Sequence, residues 1–366
     1  MLSFLSVAVL IYGSMHLYAF GKVWMALPHS FGLGLALTLG GIILTCSPLL
    51  VWYLEKHSWH SASVATAGVS YTWMGFLFLF FCIGLVFDLG HVLAAFLKLN
   101  WPLSDAATLR ITGLLALAAL GYGLVEARHI TIEEVTINTP KLASGRVTLA
   151  QLSDLHLGMM QGEALLERVI ARLRELKPDI VVATGDIVDG QGDDLDALAR
   201  QFKTYAPTQG KFAVIGNHET YAGLANSIRF LRNAGFTVLR GESAQAGGIT
   251  LVGVDDPSAA ISGQPSGAGK PLASAAAQDF IVLLKHQPVV DDSPPFDLQL
   301  SGHIHGGQIF PFVYLTQLIY GVHTGLTALA GGRQLYVSRG TGTWGPPLRL
   351  FAPPEITLIT IQSAIK

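Results

Sequence analysis

The sequence is short of charge. Lys and Arg number 23 and Asp and Glu 25 in 366 residues, 13% of the chain, for a formal net charge of −2. No basic block stands out, which argues against a nucleic-acid partner. Cysteine is nearly missing: Cys46 and Cys82 both sit in apolar runs. That excludes a disulfide framework or a CxxC pair and leaves them as small apolar filler. The shortage of charge is also uneven. Residues 1–127 hold eight charged side chains (Lys22, Glu55, Lys56, Asp88, Lys98, Asp105, Arg110, Glu126), and the remaining residues hold all the others. With mean hydropathy at +0.47, so sharp a break predicts a membrane region, 1–127, followed by one globular domain with its own core.

Four apolar segments, near 2–20, 31–54, 71–97 and 111–127, approach or exceed the roughly 20 residues a spanning helix needs. "MLSFLSVAVLIYGSMHLYAF" has no basic start and no clear cleavage site, so it reads as a retained helix. Gly32, Ala36 and Gly40 recur every fourth residue, a face on which another helix can pack closely. Connections on one side carry Lys22, Lys98 and Arg110, against Lys56 and Arg128 on the other. Excess Lys and Arg marks the cytoplasmic face, which puts both termini, and the C-terminal domain, outside. Asp88 and His91 in "FDLGHVL" form either a polar site within the helices or, the preferred reading, an interfacial tail after a third span ending near Phe87.

From Arg128 the texture changes. Residues 128–145 read as a linker and first strand, and 146–366 as the domain. "RVTLAQLSD", "PDIVVATGD", "KFAVIGNHE", "ITLVGVDD", "DFIVLLKHQ" and "DLQLSGHIH" are short apolar runs that turn polar at their ends. Helical patterns lie between the first three, as at 163–176 with Leu165, Leu166, Val169, Ile170 and Leu173 on one face. "RQLYVSRG" and "EITLITI" look like closing strands, and 257–278, rich in small residues, like a mobile insertion. The pattern is α/β.

Nearly every strand ends in a possible metal ligand: Asp154 and His156, Asp186, Asn217 and His218, His286, then His303 and His305. Sites in open α/β sheets form beyond the carboxyl ends of strands, so these residues can converge. Carboxylate, imidazole and amide together suit Mn²⁺, Fe²⁺ or Zn²⁺, and so many candidate ligands are too many for one ion and suit two sharing a carboxylate. An extended "HIH" would point both histidines the same way.

The order "DLH" (154–156), "GDIVD" (185–189), "GNHE" (216–219), His286 and "GHIH" (302–305) resembles the calcineurin-like metallophosphoesterase superfamily. The resemblance covers about 146 to the C-terminus. It implies an αββα sandwich behind the four-helix transmembrane region, and a metal-dependent hydrolase of phosphoric ester or pyrophosphate bonds. Asp154, His156 and His305 would hold one divalent ion, Asn217, His286 and His303 the other, with Asp186 as the bridge. Mn²⁺ comes first, Fe²⁺ or Zn²⁺ next. His218 would donate a proton or stabilise charge. Asp189 and Glu219 would orient His218 or fix a loop. "GHIHGGQ" and "YVSRGTGTWGPPLRL" look like a membrane-associated bacterial phosphodiesterase branch, whose neighbours are linked to lipid-type substrates such as UDP-2,3-diacylglucosamine.

The run 309–332, "IFPFVYLTQLIYGVHTGLTALAGG", reads either as an apolar flap that meets a lipid or as a buried cover over the sheet. Two functions follow. One is a hydrolase anchored in the inner or plasma membrane, acting on a lipid-linked phosphodiester or pyrophosphate. The other is a membrane receptor or assembly protein whose phosphoesterase domain only binds. No residue is assigned to substrate binding and no oligomeric state is implied.

Overall fold

The computed structural model describes residues 2–142, 145–190, 195–262, 279–291 and 295–364. The chain divides into two compact units, Met1–Val125 with Gly345–Leu348, and Glu126–Trp344 with Arg349–Lys366.

The first unit consists of helices α1 (Leu2–Ala26), α2 (Phe31–Lys56), α3 (His60–Phe96) and α4 (Asp105–Glu126). Among the described residues three of them, α2, α3 and α4, are long and apolar enough to cross a membrane. The expected first span, 2–20, falls partly on residues whose side chains lie outside the described ones. The described part of α1 carries His16, Lys22, Tyr12 and Tyr18, which dilute its hydropathy, and it uses them. Trp73 Nε1 donates to His16 Nε2 at 2.9 Å, Thr45 Oγ1 lies 3.1 Å from His16 Nδ1, and Tyr18 Oη donates to Asp88 at 2.7 Å. Lys22 forms an ion pair with Asp88.

Two expectations change here. The third helix starts at His60 and runs unbroken to Phe96, past the expected end of the span near Phe87, with Asp88 tied to α1 and the His91 ring 5.5 Å from Trp101. Of the two glycines on the Gly32–Ala36–Gly40 face, only Gly40 is approached, a Cβ there lying 4.0 Å from the Phe20 ring. A Cβ on Gly32 would meet nothing within 4 Å, and the neighbouring helix instead leans aromatic rings on Gly34 (Trp24) and Gly41 (Phe20).

The second unit holds strands β1 (Thr131–Thr139), β2 (Arg146–Leu152), β3 (Leu157–Gly158), β4 (Ile180–Thr184), β5 (Val188–Asp189), β6 (Lys211–Val214), β7 (Phe236–Val238), β8 (Glu242–Ala246), β9 (Ile249–Gly253), β10 (Ile281–Leu284), β11 (Leu298–Ser301), β12 (Gly325–Ala328), β13 (Gln334–Val337) and β14 (Glu355–Ser363). Its helices are α5 (Glu163–Leu176), α6 (Leu195–Lys203), α7 (Asn217–Tyr221), α8 (Leu224–Asn233) and α9 (Val313–Tyr320). One sheet runs β1-β14-β2-β4-β6-β7 and the other β12-β13-β11-β10-β9-β8, with β3 and β5 as a small separate pair.

The fold is a mixed α/β sandwich. Leu149, Val182 and Val214 of the first sheet and Leu251, Val282, Leu284 and Leu300 of the second share one buried cluster, which is the filling between the sheets. The outer face of the first sheet packs on α5, α6 and α8 through Leu166, Val169, Leu173, Phe202 and Leu231. All five apolar positions expected on one face of α5 are buried. Central strands such as β4, "IVVAT", are buried at every position, as strands covered on both faces must be, so they read as apolar runs and not as alternation. Over 257–278, residues Pro257–Ser262 form a 3₁₀ turn, and 263–278 lie outside the described residues.

The topology positions the site. β2, β4 and β6 are parallel neighbours, as are β9, β10, β11 and β13. Within each sheet their carboxyl ends therefore fall at one edge, and the chain leaves those ends through Asp154, Asp186, Asn217, His286 and His303.

Candidate metal centre

The strand ends gather two sets of donor atoms. In one, Asp154, His156 and His305 each place an atom within 4.8 Å of the others; His305 Nε2 lies 3.3 Å from Asp154 Oδ1 and 3.1 Å from His156 Nε2. In the other, Asp186, His286 and His303 do the same. There His286 Nε2 is 3.0 Å from Asp186 Oδ2, 3.1 Å from His303 Nδ1 and 3.2 Å from Asn217 Oδ1. All seven residues expected to ligate thus lie in one of two adjoining clusters. Imidazole nitrogens and carboxylate oxygens facing one another at 3.0–3.3 Å share a focus, which is the donor chemistry a divalent ion fits.

The backbone is bent hard to achieve this. Asp154 (φ 53°), His156 (50°), Asp186 (53°), His303 (73°) and His305 (51°) all adopt the left-handed region, which non-glycine residues rarely visit. Such geometry clusters at functional sites, where surrounding structure enforces it. It also corrects the reasoning about "HIH": residues 303–305 are not extended, and His305 opens a 3₁₀ turn. Two tight left-handed turns, not strand alternation, send His303 to one set and His305 to the other. Close approach demands glycine beside them. A Cβ on Gly302 would sit 2.0 Å from Ser153 Oγ and 2.2 Å from Asp154 Oδ2, and one on Gly216 2.2 Å from Asp186 Oδ1.

The far side of each ring is held. His286 Nδ1 donates to the Thr184 carbonyl at 2.9 Å, which turns Nε2 towards the site. His303 Nε2 meets Tyr320 Oη at 2.6 Å, leaving Nδ1 for the cluster. Arg349, fully buried, donates to the carbonyls of His305 (3.1 Å), Arg339 (2.7 Å), Ala352 (3.0 Å) and Gly342 (2.6 Å), with Nη2 3.3 Å from His305 Nδ1. His156 Nδ1 is buried without a hydrogen-bond partner.

A third grouping, His156, Asp189 and His218, is also close enough to hold an ion. Its geometry is instead that of one hydrogen bond with a second ring alongside: the Asp189 carboxylate lies 2.9 Å from His218 Nδ1 and 3.5 Å from His156 Nδ1. Glu219, buried, accepts the backbone N–H groups of Asp186 (2.9 Å), Ile187 (2.7 Å), Val188 (3.0 Å) and Gly216 (2.7 Å), pinning the loop that carries Asp186. Asp186 Oδ1 in turn accepts from His218 N at 2.8 Å.

The electrostatics suit ligation. Burial alone would raise the Asp154 and Asp186 carboxyls, but the surrounding histidines hold both well below the usual range. Burial, with the His286 cation beside His303 and with His156 and Arg349 beside His305, pushes those two imidazoles down to about 4, so they are neutral donors. Burial opposes charge on His286, yet Asp186 overrides it and lifts the group to about 10; the proton held there is one a metal cation can replace. His218 likewise rises to about 9 against burial, through the Asp189 hydrogen bond and the Asp186 and Glu219 charges.

Sequence reasoning missed Tyr320 and Arg349, and also Asp256, buried and accepting from Gln287 Nε2 at 2.8 Å beside His286. Asp256 carried a signal, since "GVDD" ends a strand at the same sheet edge. Arg349 carried a weaker one, as a lone cation in "GPPLRLF". Tyr320 carried none. Tyr221 and Trp344, both more than half exposed, flank the His218 ring at 5.5 and 5.6 Å.

Strand order, paired donor sets and a histidine–aspartate couple beside them define a phosphoesterase-type metal site, and comparison with known proteins agrees. The calcineurin-like phosphoesterase profile matches residues 147–307. An uncharacterized metallophosphoesterase of Aquifex aeolicus is 40% identical over 248 residues, 66% of this chain and 95% of that protein. A transmembrane protein with metallophosphoesterase domain from Danio rerio is 31% identical over 337 residues, 85% of this chain and 75% of that one. A crystal structure of a dimetal phosphatase from Danio rerio aligns with 53% of this chain and 87% of that one, at 14% identity and a TM-score of 0.36. The chain belongs to the calcineurin-like metallophosphoesterases. It is a metal-dependent phosphoester hydrolase with helices apolar enough to span a membrane.

Proposed function

We propose that this protein is a membrane-anchored, dinuclear-metal phosphoesterase that hydrolyses a phosphodiester or pyrophosphate on a lipid-linked substrate, UDP-2,3-diacylglucosamine-like or phospholipid-like. The observation that carries the reading is the pair of adjoining donor sets with His218 held beside them. Asp154, His156 and His305 would hold one ion and Asn217, His286 and His303 the other, with Asp186 shared; the mixed N/O set suits Mn²⁺, Fe²⁺ or Zn²⁺, of which Mn²⁺ is put first. Two divalent ions so held supply Lewis acidity and charge neutralisation at a phosphoryl group.

The chain's own residues supply the proton. His218 keeps Nδ1 on Asp189, so Nε2–H is the donor available to the leaving oxygen. Asp189 fixes the ring and favours its charged form. Tyr221 and Trp344 on either side of the ring give the leaving group two aromatic walls. Support for a lipid-linked substrate comes from the apolar helices and from the apolar 309–332 run. Whether or not α1 crosses, chain order puts Lys22, Lys98 and Arg110 on one side and Lys56 and Arg128 on the other, and this excess favours an extracytoplasmic catalytic unit at the inner or plasma membrane.

The test is a full-length preparation stripped of metal and assayed on bis-p-nitrophenyl phosphate with and without added Mn²⁺. Turnover restored by the metal supports the hydrolase. No turnover with any of the three metals, despite binding them, would make the chain a membrane receptor or assembly protein whose domain only binds. The lipid half is tested separately, by identifying the phosphate-bearing lipid that accumulates on deletion. Accumulation of a water-soluble ester alone would overturn it.

A further inference from the structure

Helix α9 is inverted relative to the other helices of its unit. On α6 and α8 the exposed positions include Arg200, Lys203, Arg229 and Arg232, and α5 exposes Arg172 and Glu175. α9 exposes Tyr314 (64%), Leu315 (43%), Leu318 (82%) and Ile319 (64%), while Thr316 and Tyr320 turn inwards. Their spacing puts the four on one continuous face. No Asp, Glu, Lys or Arg occurs anywhere between His305 and Arg333. The face extends off the helix, since Phe310 lies 5.8 Å from Tyr314 and 6.0 Å from Phe351, ring to ring. Of the two sequence readings of 309–332, the exposed flap is the one this arrangement matches.

The occupant follows from where this face ends. Phe351, 70% exposed, donates its backbone N–H to Glu126 at 2.8 Å, and Glu126 is the last residue of α4, a candidate span. From Glu126 to Thr131 of β1 the chain has only five Cα steps, at most about 18 Å when fully extended. An uncharged face of Leu, Ile, Phe and Tyr, tied to the residue at which the chain leaves a spanning helix, matches the boundary between lipid headgroups and acyl chains. A soluble partner would need no such tie.

We propose that α9 seats in the bilayer surface, with Leu315, Leu318 and Ile319 among the acyl chains. Tyr320, on the opposite face, hydrogen-bonds His303, so the same helix holds a ligand-bearing loop against the plane in which a lipid-borne phosphate would lie. This rests on the proposed lipid-linked substrate only for its purpose; the seating itself is independent of any activity.

The test uses the full chain with Cys46→Ser and Cys82→Ser, reconstituted in phosphatidylcholine vesicles. Single cysteines at Leu318→Cys, Ile319→Cys and, as a control on α5, Glu175→Cys carry an environment-sensitive dye. Brominated acyl chains should quench the dye at 318 and 319 by about half and leave the dye at 175 unchanged, as shallow interfacial burial requires. Equal, unquenched emission at all three would overturn the proposal. So would shielding of 318 and 319 from aqueous iodide without bromolipid quenching, which would make a second copy of the chain the occupant. Leu318→Gln with Ile319→Gln should lower turnover of a vesicle-borne phosphodiester about tenfold while hydrolysis of a soluble ester in detergent stays at the parental rate. If the parent itself hydrolyses neither, the phosphoesterase reading has failed while the quenching result still decides the seating.

Discussion

His218 Nδ1 lies 2.9 Å from Asp189 Oδ1, and the same side chain's backbone N–H reaches Asp186 Oδ1 at 2.8 Å. One residue is thereby fixed at both ends, its ring by one carboxylate and its main chain by another that belongs to the metal cluster. On the proposed roles, a proton donor and a metal ligand are held in register by this one α7 residue. His218→Ala should therefore slow turnover by roughly 10²–10⁴-fold, the scale of general acid catalysis, with metal content close to normal. Elemental analysis beside the assay checks this; metal loss in the variant would sink the role assigned to His218.

The pH profile follows from the same contact. Because His218 is lifted to about 9, it is protonated at neutral pH, and kcat/KM should fall as pH rises through that value. Asp189→Asn removes the leading cause of the rise, so the alkaline limb should move down towards the ordinary imidazole range near 6.5. An unmoved limb would show that another group titrates there.

Asp186→Ala should abolish activity and metal retention together, because it removes the carboxylate against His286 and the acceptor of His218 N. Retention of two ions per chain by this variant would rule out a shared Asp186.

Gly302→Ala tests the crowding behind the first donor set. A methyl group there would meet Ser153 Oγ at 2.0 Å and Asp154 Oδ2 at 2.2 Å. We expect a loss of about 1–3 kcal/mol in stability, typical of overpacking, together with weakened metal binding. A thermal melt and a metal titration unchanged from the parent would show that Asp154 can give way.

Protease added to intact spheroplasts should remove the second unit if it faces outwards. Protection before lysis and cleavage after it would place the unit in the cytoplasm.

The donor residues could be read from the sequence because each sits at the end of an apolar run, and parallel strands carry such ends to one edge. The reason "GHIH" works could not be read. Strand alternation aimed both histidines at one region by the wrong geometry, since left-handed φ at His303 and His305 leaves no mark in residue type when the residue is not glycine. Tyr320 and Arg349 were hidden for another reason. Each acts through one long-range contact, with His303 and with the His305 loop, and a single long-range contact has no periodicity. In the first unit, length and composition located the helices. The polar contacts of α1 with Asp88 and Trp73 are pairings, and pairings decide how a helix is used more than its hydropathy does.

The left-handed backbone at Asp154, His156, Asp186, His303 and His305 sets local stability against chemistry. At each of these positions the main chain favours glycine, by about 1–2 kcal/mol for an ordinary side chain, while the reaction needs a donor atom. A substitution to glycine there relaxes the fold and deletes a ligand in one step.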